Sequence, residues 1–417
     1  MNIERSKYLY DLKIRMHNHL VKIITGIRRS GKSYLIFNIF KNYLLESGTQ
    51  ADHIIEIELD LRKDREYRDP DRFLEHVESC LQDRNDYFLL IDEVQLLGDF
   101  EEVLNSLLHH ENLDIYVTGS NSRFLSVDVI TQFRGRGDEI HVYPLTFKEF
   151  MQVYDGDRYQ GLADYMLYGG LPLTLTMHTE EQKSKYLTAL FTETYLKDLQ
   201  ERHRIDKMEE LNELIDVLAS AIGSLTNPSK LEATFKSRLH LGISLNTIRQ
   251  YLEYLQDAFL ISEAQRFDVK GRKYIQSPLK YYFEDVGLRN ARLLFRQSEE
   301  THLMENVIYN ELKARGFNVD VGVVPVRAIN DGGGRVRRQL EIDFIATSGS
   351  RKYYVQSAFA LPDEAKLRQE KDPLLQLNDS FKKIVVVHDV VNVTRDEHGI
   401  TTMNIYDFLL DEHSLDR

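Results

Sequence analysis

Ile23-Ile24-Thr25-Gly26-Ile27-Arg28-Arg29-Ser30-Gly31-Lys32-Ser33 decides how this chain is read. Residues 26–33 spell G-x-x-x-x-G-K-S, the phosphate-binding P-loop pattern. Residues 20–25 just upstream form a β-rich run, and residues 32–46 downstream, KSYLIFNIFKNYLLE, have apolar residues at helical spacing. A strand is expected to feed a loop that opens a helix.

Each residue type has a chemical reason. Gly26 and Gly31 let the backbone turn without a Cβ, so that successive N–H groups face a phosphate. The helix N-terminus adds partial positive charge. Lys32 reaches the β- and γ-phosphates, and the Ser33 hydroxyl is a hard oxygen ligand suited to Mg²⁺. Gly26, Ile27, Arg28, Arg29, Ser30, Gly31, Lys32, Ser33 and Tyr34 are therefore the expected ATP-binding set. A Gly-rich turn that happens to carry a lysine would look alike over these residues, so a second motif has to discriminate.

That motif is Tyr87-Phe88-Leu89-Leu90-Ile91-Asp92-Glu93. A continuous apolar run suits a strand buried on both faces of a parallel sheet, and ligands bind at the C-terminal ends of such strands. Asp92 is expected to hold Mg²⁺, directly or through one of its ligands, and Glu93 to polarise the attacking water. Two carboxylates at a solvated strand end are the plainer alternative, which the P-loop disfavours.

At 417 residues the chain exceeds one core, and two to four domains are expected. No apolar run approaches the roughly 18 residues of a membrane span. The opening MNIERSKYLYDLKIR lacks the apolar stretch of a signal peptide, and cytoplasmic residence is expected. Cys80 is the sole cysteine, which excludes internal disulfides and multi-cysteine zinc sites. A formal net charge of −13 confines any nucleic-acid contact to a local basic patch or a pore.

Between the two motifs, residues 53–59 alternate as a strand and residues 71–81 as an amphipathic helix. Residues 113–118 read as the next strand, ending in Thr118-Gly119-Ser120-Asn121-Ser122. Lying between the P-loop strand and the acidic strand, its end could place Asn121 on the γ-phosphate or the attacking water, although such residues also make turns. Arg134 and Arg136 precede a last strand over 139–143; they are either solvated turn residues or fingers supplied to a neighbour's nucleotide.

GIRRSGKS, LLIDEVQ, TGSNS, RGRGDEIHVYPLTFKEF and Tyr168-Gly169-Gly170-Leu171-Pro172, in this order, resemble the prokaryotic AAA+ family ATPases that carry an uncharacterised, nuclease-like C-terminal domain. The resemblance covers nearly the whole chain. It implies an additional-strand P-loop core and oligomeric assembly, a ring such as a hexamer.

The expected fold class is α/β, with a P-loop AAA+ core over 1–155 and a helical lid over 156–205. A winged-helix domain over 206–290 and a restriction-endonuclease-like α/β domain over 291–417 follow. The winged helix rests on Leu245, Ile248, Leu252, Leu255 and Phe259, which share one helix face, and on two β-like runs joined by residues 268–272. Asn246, Arg249 and Gln250 could then enter a groove while Lys270, Arg272 and Lys273 touch phosphates; packing between subunits is the alternative use.

The last quarter reads helix, three strands, helix, strand, the order of the nuclease fold. Glu305 stands as its helix acid and Asp343 as its strand aspartate, a degenerate PD-(D/E)xK pattern. On the next strand Gln356 replaces the metal-binding glutamate and Ala358 the lysine, so cleavage is not expected. Lys366 on the following helix is the candidate for a migrated lysine. The composite expectation is an Mg²⁺-dependent ATPase that works as a homo-oligomer on DNA. A nucleotide-dependent switch holding a protein partner and an ATP-regulated nuclease are the alternatives.

Overall fold

A computed structural model describes residues 3–119, 135–239, 242–297, 299–329, 335–360 and 363–417. The chain forms two compact units, Met1–Pro144 with Asp257–Phe259, and Leu145–Gln256 with Leu260–Arg417.

The first unit is built on a five-stranded parallel sheet in the order β2-β3-β4-β1-β5. The strands are β1 (Val21–Thr25), β2 (Ile54–Glu58), β3 (Tyr87–Asp92), β4 (Leu113–Thr118) and β5 (Gly137–His141). β4 lies between β1 and β3, as the chain order had suggested. The sequence explains the sheet through its two faces. Val21, Ile23, Leu89, Ile91, Ile115 and Val117 point to one side and pack with Phe73 and Val77 of helix α3 (Pro70–Cys80) and Leu104 of α4 (Phe100–Leu107). Ile24, Leu90 and Tyr116 point to the other and pack with Tyr8 and Leu12 of α1 (Ser6–Lys13) and with Leu35, Phe40 and Leu44 of α2 (residues 32–46). Because successive side chains alternate faces, continuous apolar strands are what a sheet covered on both sides requires.

Helix α2 spans residues 32–46 and is π-helical over Leu35–Phe40. Helix α3 starts where the sequence marks it: the Asp69 carboxylate accepts from Arg72 N and Pro70 occupies the first turn, a cap worth about 1 kcal/mol.

A lysine inside β1 is the exception to apolar patterning. Lys22 is buried, and its ammonium is ion-paired with Asp114 of β4 and donates to the Leu20 carbonyl at 3.0 Å. Tyr116 Oη and His17 N donate to the other Asp114 oxygen at 2.9 and 3.1 Å. Burial lowers the lysine pKa and Asp114 raises it; every polar atom of the carboxylate is thus engaged, which is the condition for burying such a pair.

The second unit opens with helices: α5 (Phe147–Met151), α6 (Arg158–Tyr168), α7 (residues 180–203), α8 (Met208–Ser220), α9 (Pro228–Thr234) and α10 (Leu245–Asp257). Capping boxes at Thr146/Glu149 and Thr179/Gln182 start α5 and α7. The rest of the unit is organised by an eight-stranded sheet in the order β12-β13-β11-β10-β9-β8-β6-β7. Its strands are β6 (Ile261–Asp268), β7 (Lys273–Phe283), β8 (Asn318–Ile329), β9 (Arg335–Ser348), β10 (Arg351–Ala358), β11 (Lys382–Val387), β12 (Thr394–Arg395) and β13 (Ile400–Asn404). Helices α11 (Val286–Arg292), α12 (Glu300–Ala314), α13 (Glu364–Leu375) and α14 (Ile405–Leu410) pack on it.

This sheet contains strands from both sides of the expected 290/291 boundary. The hairpin β6–β7, read from sequence as the wing of a separate module, is not free: Arg266, Phe267 and Asp268 pair in parallel with Val321, Gly322 and Val323. Val269 N continues the ladder to the Val323 carbonyl at 3.0 Å. The hairpin satisfies an otherwise open edge of β8, and an open edge is what a sheet avoids. The first unit runs to Pro144.

Candidate nucleotide site

The residues of the P-loop motif lie at the C-terminal end of β1, beside the ends of β3 and β4. Gly26 has φ +134°, and a Cβ there would stand 2.2 Å from the Val142 carbonyl oxygen, so only glycine fits. Gly31, at φ +96°, caps α2 in the left-handed conformation. Arg29 also has positive φ, +65°, and is exposed, whereas Ile27 is buried and anchors the loop. Arg28 is half-buried and Tyr34 is 42% exposed on the first turn of α2.

Lys32 is buried, with its ammonium donating to the carbonyls of Gly26 at 2.9 Å and Ile27 at 3.0 Å. One residue on, Ser33 Oγ donates to Asp92 Oδ1 at 3.0 Å. The Thr118 hydroxyl donates to that same oxygen and accepts from Glu93 N at 3.1 Å. The ends of β3 and β4 and the first turn of α2 therefore meet at one carboxylate. Burial raises the Asp92 pKa, the hydroxyls of Thr118 and Ser33 pull it down, and neighbouring Glu93 pushes it up again. Glu93 itself sits at φ +50°, uncommon for a non-glycine residue and found where function holds the backbone. Its carboxylate accepts from the Gln95 side-chain amide.

The donor set fits Mg²⁺: a hydroxyl and a carboxylate, both hard oxygen groups, converge within hydrogen-bond distance beside a loop of backbone N–H groups. Among the sequence-assigned residues, Asn121 and Arg134 lie outside the described residues. Arg136 is exposed, and its carbonyl accepts from Val21 N at 2.9 Å, opening the β1–β5 ladder.

Two contributors had no sequence signal. Arg5, just ahead of α1, is buried and donates to the Ser30 carbonyl at 3.1 Å and the Tyr143 carbonyl at 2.8 Å. A trans peptide points its C=O and N–H to opposite sides, so Arg5 turns the Gly31 N–H away from itself. Thr25, the residue before the loop, donates to Glu139 at 2.7 Å and contacts His141 Nδ1 at 3.1 Å, tying β1 to β5 beside the site.

A second constellation lies in the eight-stranded sheet. Glu305 and Asp343 do come together, and with them Glu341, but Lys280 of β7 sits among the three: its ammonium is 2.9 Å from Glu305, 2.9 Å from Glu341 and 3.9 Å from Asp343. Burial works against that ammonium, but Glu305, Asp343 and Glu341 outweigh it and hold its pKa above the usual lysine value. Asp343 is raised well above the usual carboxylate range by burial and by Glu305, with Lys280 and Ser357 N opposing. Tyr282 Oη donates to Glu305 at 2.6 Å. Gln356 donates to Glu370 at 3.1 Å, and Lys366 pairs with that same Glu370 at 2.7 Å rather than with the acids around Lys280.

A family described as an AAA domain matches residues 18–151, and a domain of unknown function (DUF8612) matches residues 159–299, one span across the expected 205/206 boundary. An uncharacterized protein of Haemophilus influenzae is 32% identical over 98% of this chain and 98% of its own length. Uncharacterized protein MJ1544 of Methanocaldococcus jannaschii is 26% identical over 87% of this chain and 79% of that one. Among solved structures, the Aeropyrum pernix ORC1 protein in complex with DNA aligns over 70% of this chain and 92% of that chain, at 12% identity and a TM-score of 0.28, a likeness too distant to bear on function. The chain belongs to the same family as the Haemophilus influenzae protein, and residues 18–151 match an AAA domain.

Proposed function

We propose that this chain is an Mg²⁺-dependent ATPase that acts as a closed homo-oligomer on nucleic acid. The observation that carries the reading is the convergence of Ser33 Oγ and Thr118 Oγ1 on Asp92 Oδ1, next to a glycine-framed loop whose lysine is held at its mouth. In this reading Ser33 and Asp92 would hold Mg²⁺, which neutralises charge on the β- and γ-phosphate oxygens. Lys32 exchanges its two carbonyl partners for those oxygens. Glu93 orients and polarises the attacking water, and its release from the Gln95 amide frees the carboxylate for that contact. Asn121 and an arginine, Arg134 or Arg136, complete the site, the arginine acting on a neighbouring subunit's nucleotide.

The nucleic-acid part rests on the basic turn of the β6–β7 hairpin, where Lys270, Arg272 and Lys273 are exposed in a chain of net charge −13. The C-terminal stretch is a nuclease-like domain kept without cleavage chemistry: Lys280 fills the space between Glu305 and Asp343, and Gln356 is spent on Glu370. ATP turnover by the purified chain, measured with and without single-stranded, duplex and branched DNA and read beside its mass in solution at saturating nucleotide, tests the proposal. Stimulation of an oligomer supports it; a monomer whose turnover no nucleic acid alters favours a switch that holds a protein partner.

A further inference from the structure

At the end of the eight-stranded sheet where the β6–β7 turn nears β10, rings and cations form one row. Tyr274 packs edge-on against Phe267, ring centres 5.2 Å apart. The Lys352 ammonium lies 5.8 Å from the centre of Phe267, 4.9 Å from that of Tyr354 and 5.3 Å from that of Phe381. The inner rings are anchored: Tyr354 is buried in a cluster with Leu374 and Leu377, and Phe267 packs against that cluster. The outer rings are open, Tyr274 being 58% and Phe381 41% exposed.

The charge around the row is mixed but not balanced. Lys270, Arg272, Lys273 and Lys352 supply the cations. Three acids lie near them, and each is engaged: Asp268 accepts from Gly271 N at 2.8 Å, Asp320 from Tyr274 Oη at 3.2 Å, and Asp379 from Tyr354 Oη at 2.6 Å. Lys270 also donates to the Pro325 carbonyl at 3.2 Å. Four cations against three carboxylates leave a small local positive excess in a protein of net charge −13, interleaved with rings mounted on the sheet.

We propose that this row is a binding platform for single-stranded nucleic acid, with bases stacking on Tyr274 and Phe381 and phosphates passing Lys352, Arg272 and Lys273. It rests on the nucleic-acid reading above and narrows it to unpaired strands. The chemistry selects that partner because open ring faces reward a base whose own face is free, and in a duplex those faces are already stacked. The steps from Tyr274 through Phe267 and Lys352 to Phe381 are 5.2, 5.8 and 5.3 Å, so the groups lie within the reach of at most two or three splayed nucleotides.

The test is fluorescence anisotropy of the full chain with a labelled oligothymidylate and with a duplex of equal length. The wild type should bind the oligothymidylate more tightly, with affinity falling as salt rises. Tyr274→Ala/Phe381→Ala should weaken it roughly ten-fold or more, the loss expected when stacked bases lose their rings. Tyr274→Phe should keep wild-type binding, which separates the ring from the Asp320 contact and from any folding fault. Arg272→Glu/Lys273→Glu should weaken binding and flatten its salt dependence, and ATP turnover without nucleic acid should stay unchanged in all of these. Equal or tighter duplex binding, or an unaffected double alanine variant, overturns the platform and leaves the broader reading standing. No binding to either probe overturns both.

Discussion

Arg5 reaches across 25 residues of sequence to hold the carbonyl of Ser30 at 3.1 Å, inside the phosphate loop. The same guanidinium holds the Tyr143 carbonyl at 2.8 Å, stacks on Tyr8 at 4.5 Å, and is buried. Tyr8 Oη in turn accepts from Tyr143 N at 3.1 Å. The loop's peptide orientation is therefore set by a buried residue from outside the loop.

Arg5→Ala should accordingly weaken nucleotide binding while the chain still folds. A hydrogen bond to a charged group is worth about 1.5–3 kcal/mol, and each 1.4 kcal/mol is about ten-fold in affinity. The expected loss is roughly ten-fold or more, appearing in KM for ATP more than in kcat. Arg5→Lys, which keeps the charge but not the fork, should recover part of it. Wild-type affinity of Arg5→Ala for a fluorescent ATP analogue would remove the residue from the site.

Lys32→Ala and Glu93→Gln should fail differently. In the proposed mechanism Lys32 supplies ground-state contacts to the phosphates, so its loss should abolish binding. Glu93 is proposed to act on water, and the Glu93→Gln variant should bind ATP normally but turn it over roughly 10²-fold or more slowly. Filter binding beside single-turnover hydrolysis distinguishes the two, and near-normal hydrolysis by Glu93→Gln would sink its role.

Asp285 makes a pH prediction. Burial pushes its carboxyl up to about 6, although the N–H groups of Gly170, Leu288, Gly287 and Leu171 oppose the shift. Its unfolded value is about 3.9, so between these pH values the native state holds a proton that the unfolded chain has released. Stability from this residue therefore rises as pH falls through about 6 and is lost as pH climbs above it. The stability gap between wild type and Asp285→Asn should widen by about 1 kcal/mol from pH 7 to pH 5. A gap that stays flat in denaturant titrations at the two pH values would contradict the shift.

Asp285 also shows where the sequence stops speaking. The run Tyr168-Gly169-Gly170-Leu171-Pro172 stands out as a motif, but its reason lies more than a hundred residues away. A Cβ at Gly169 would meet Asp285 Oδ1 at 2.2 Å, and Gly170 N donates to Oδ2 at 2.8 Å. The P-loop and the acidic strand were legible because their chemistry is contiguous: one strand end, one turn, one helix start. The place of β4 between β3 and β1 was expected from the pattern of a P-loop strand, an acidic strand and a following strand with a polar end. Arg5 behind Ser30, Lys280 among the acids and the docking of β6 on β8 were not legible, because each is a long-range pairing. Nothing in ISEAQRFD names the strand it will lie beside. A hairpin that completes a sheet and a hairpin that stands free as a wing have the same alternation and the same turn.

Lys280 separates the second constellation from a metal site. Its ammonium bridges Glu305 and Glu341 at 2.9 Å each, with Asp343 at 3.9 Å, and the lysine is only 3% exposed. A divalent ion among these carboxylates would have to displace a cation that the backbone carries there permanently. The wild type should therefore leave supercoiled plasmid intact in Mg²⁺ or Mn²⁺. Lys280→Ala strands buried carboxylates without their countercharge and should cost about 3–5 kcal/mol of stability. That variant should gain what the wild type lacks: Mn²⁺ entering the vacated space should raise its melting temperature, because a ligand that binds only the folded state stabilises it. The wild-type melting temperature should respond less, because only the Ser33–Asp92 site is open to the ion there. Plasmid cleavage by the wild type that disappears in Asp343→Ala would instead make Lys280 part of a working nuclease centre, and a Mn²⁺ response equal in both proteins would mean that the lysine blocks nothing.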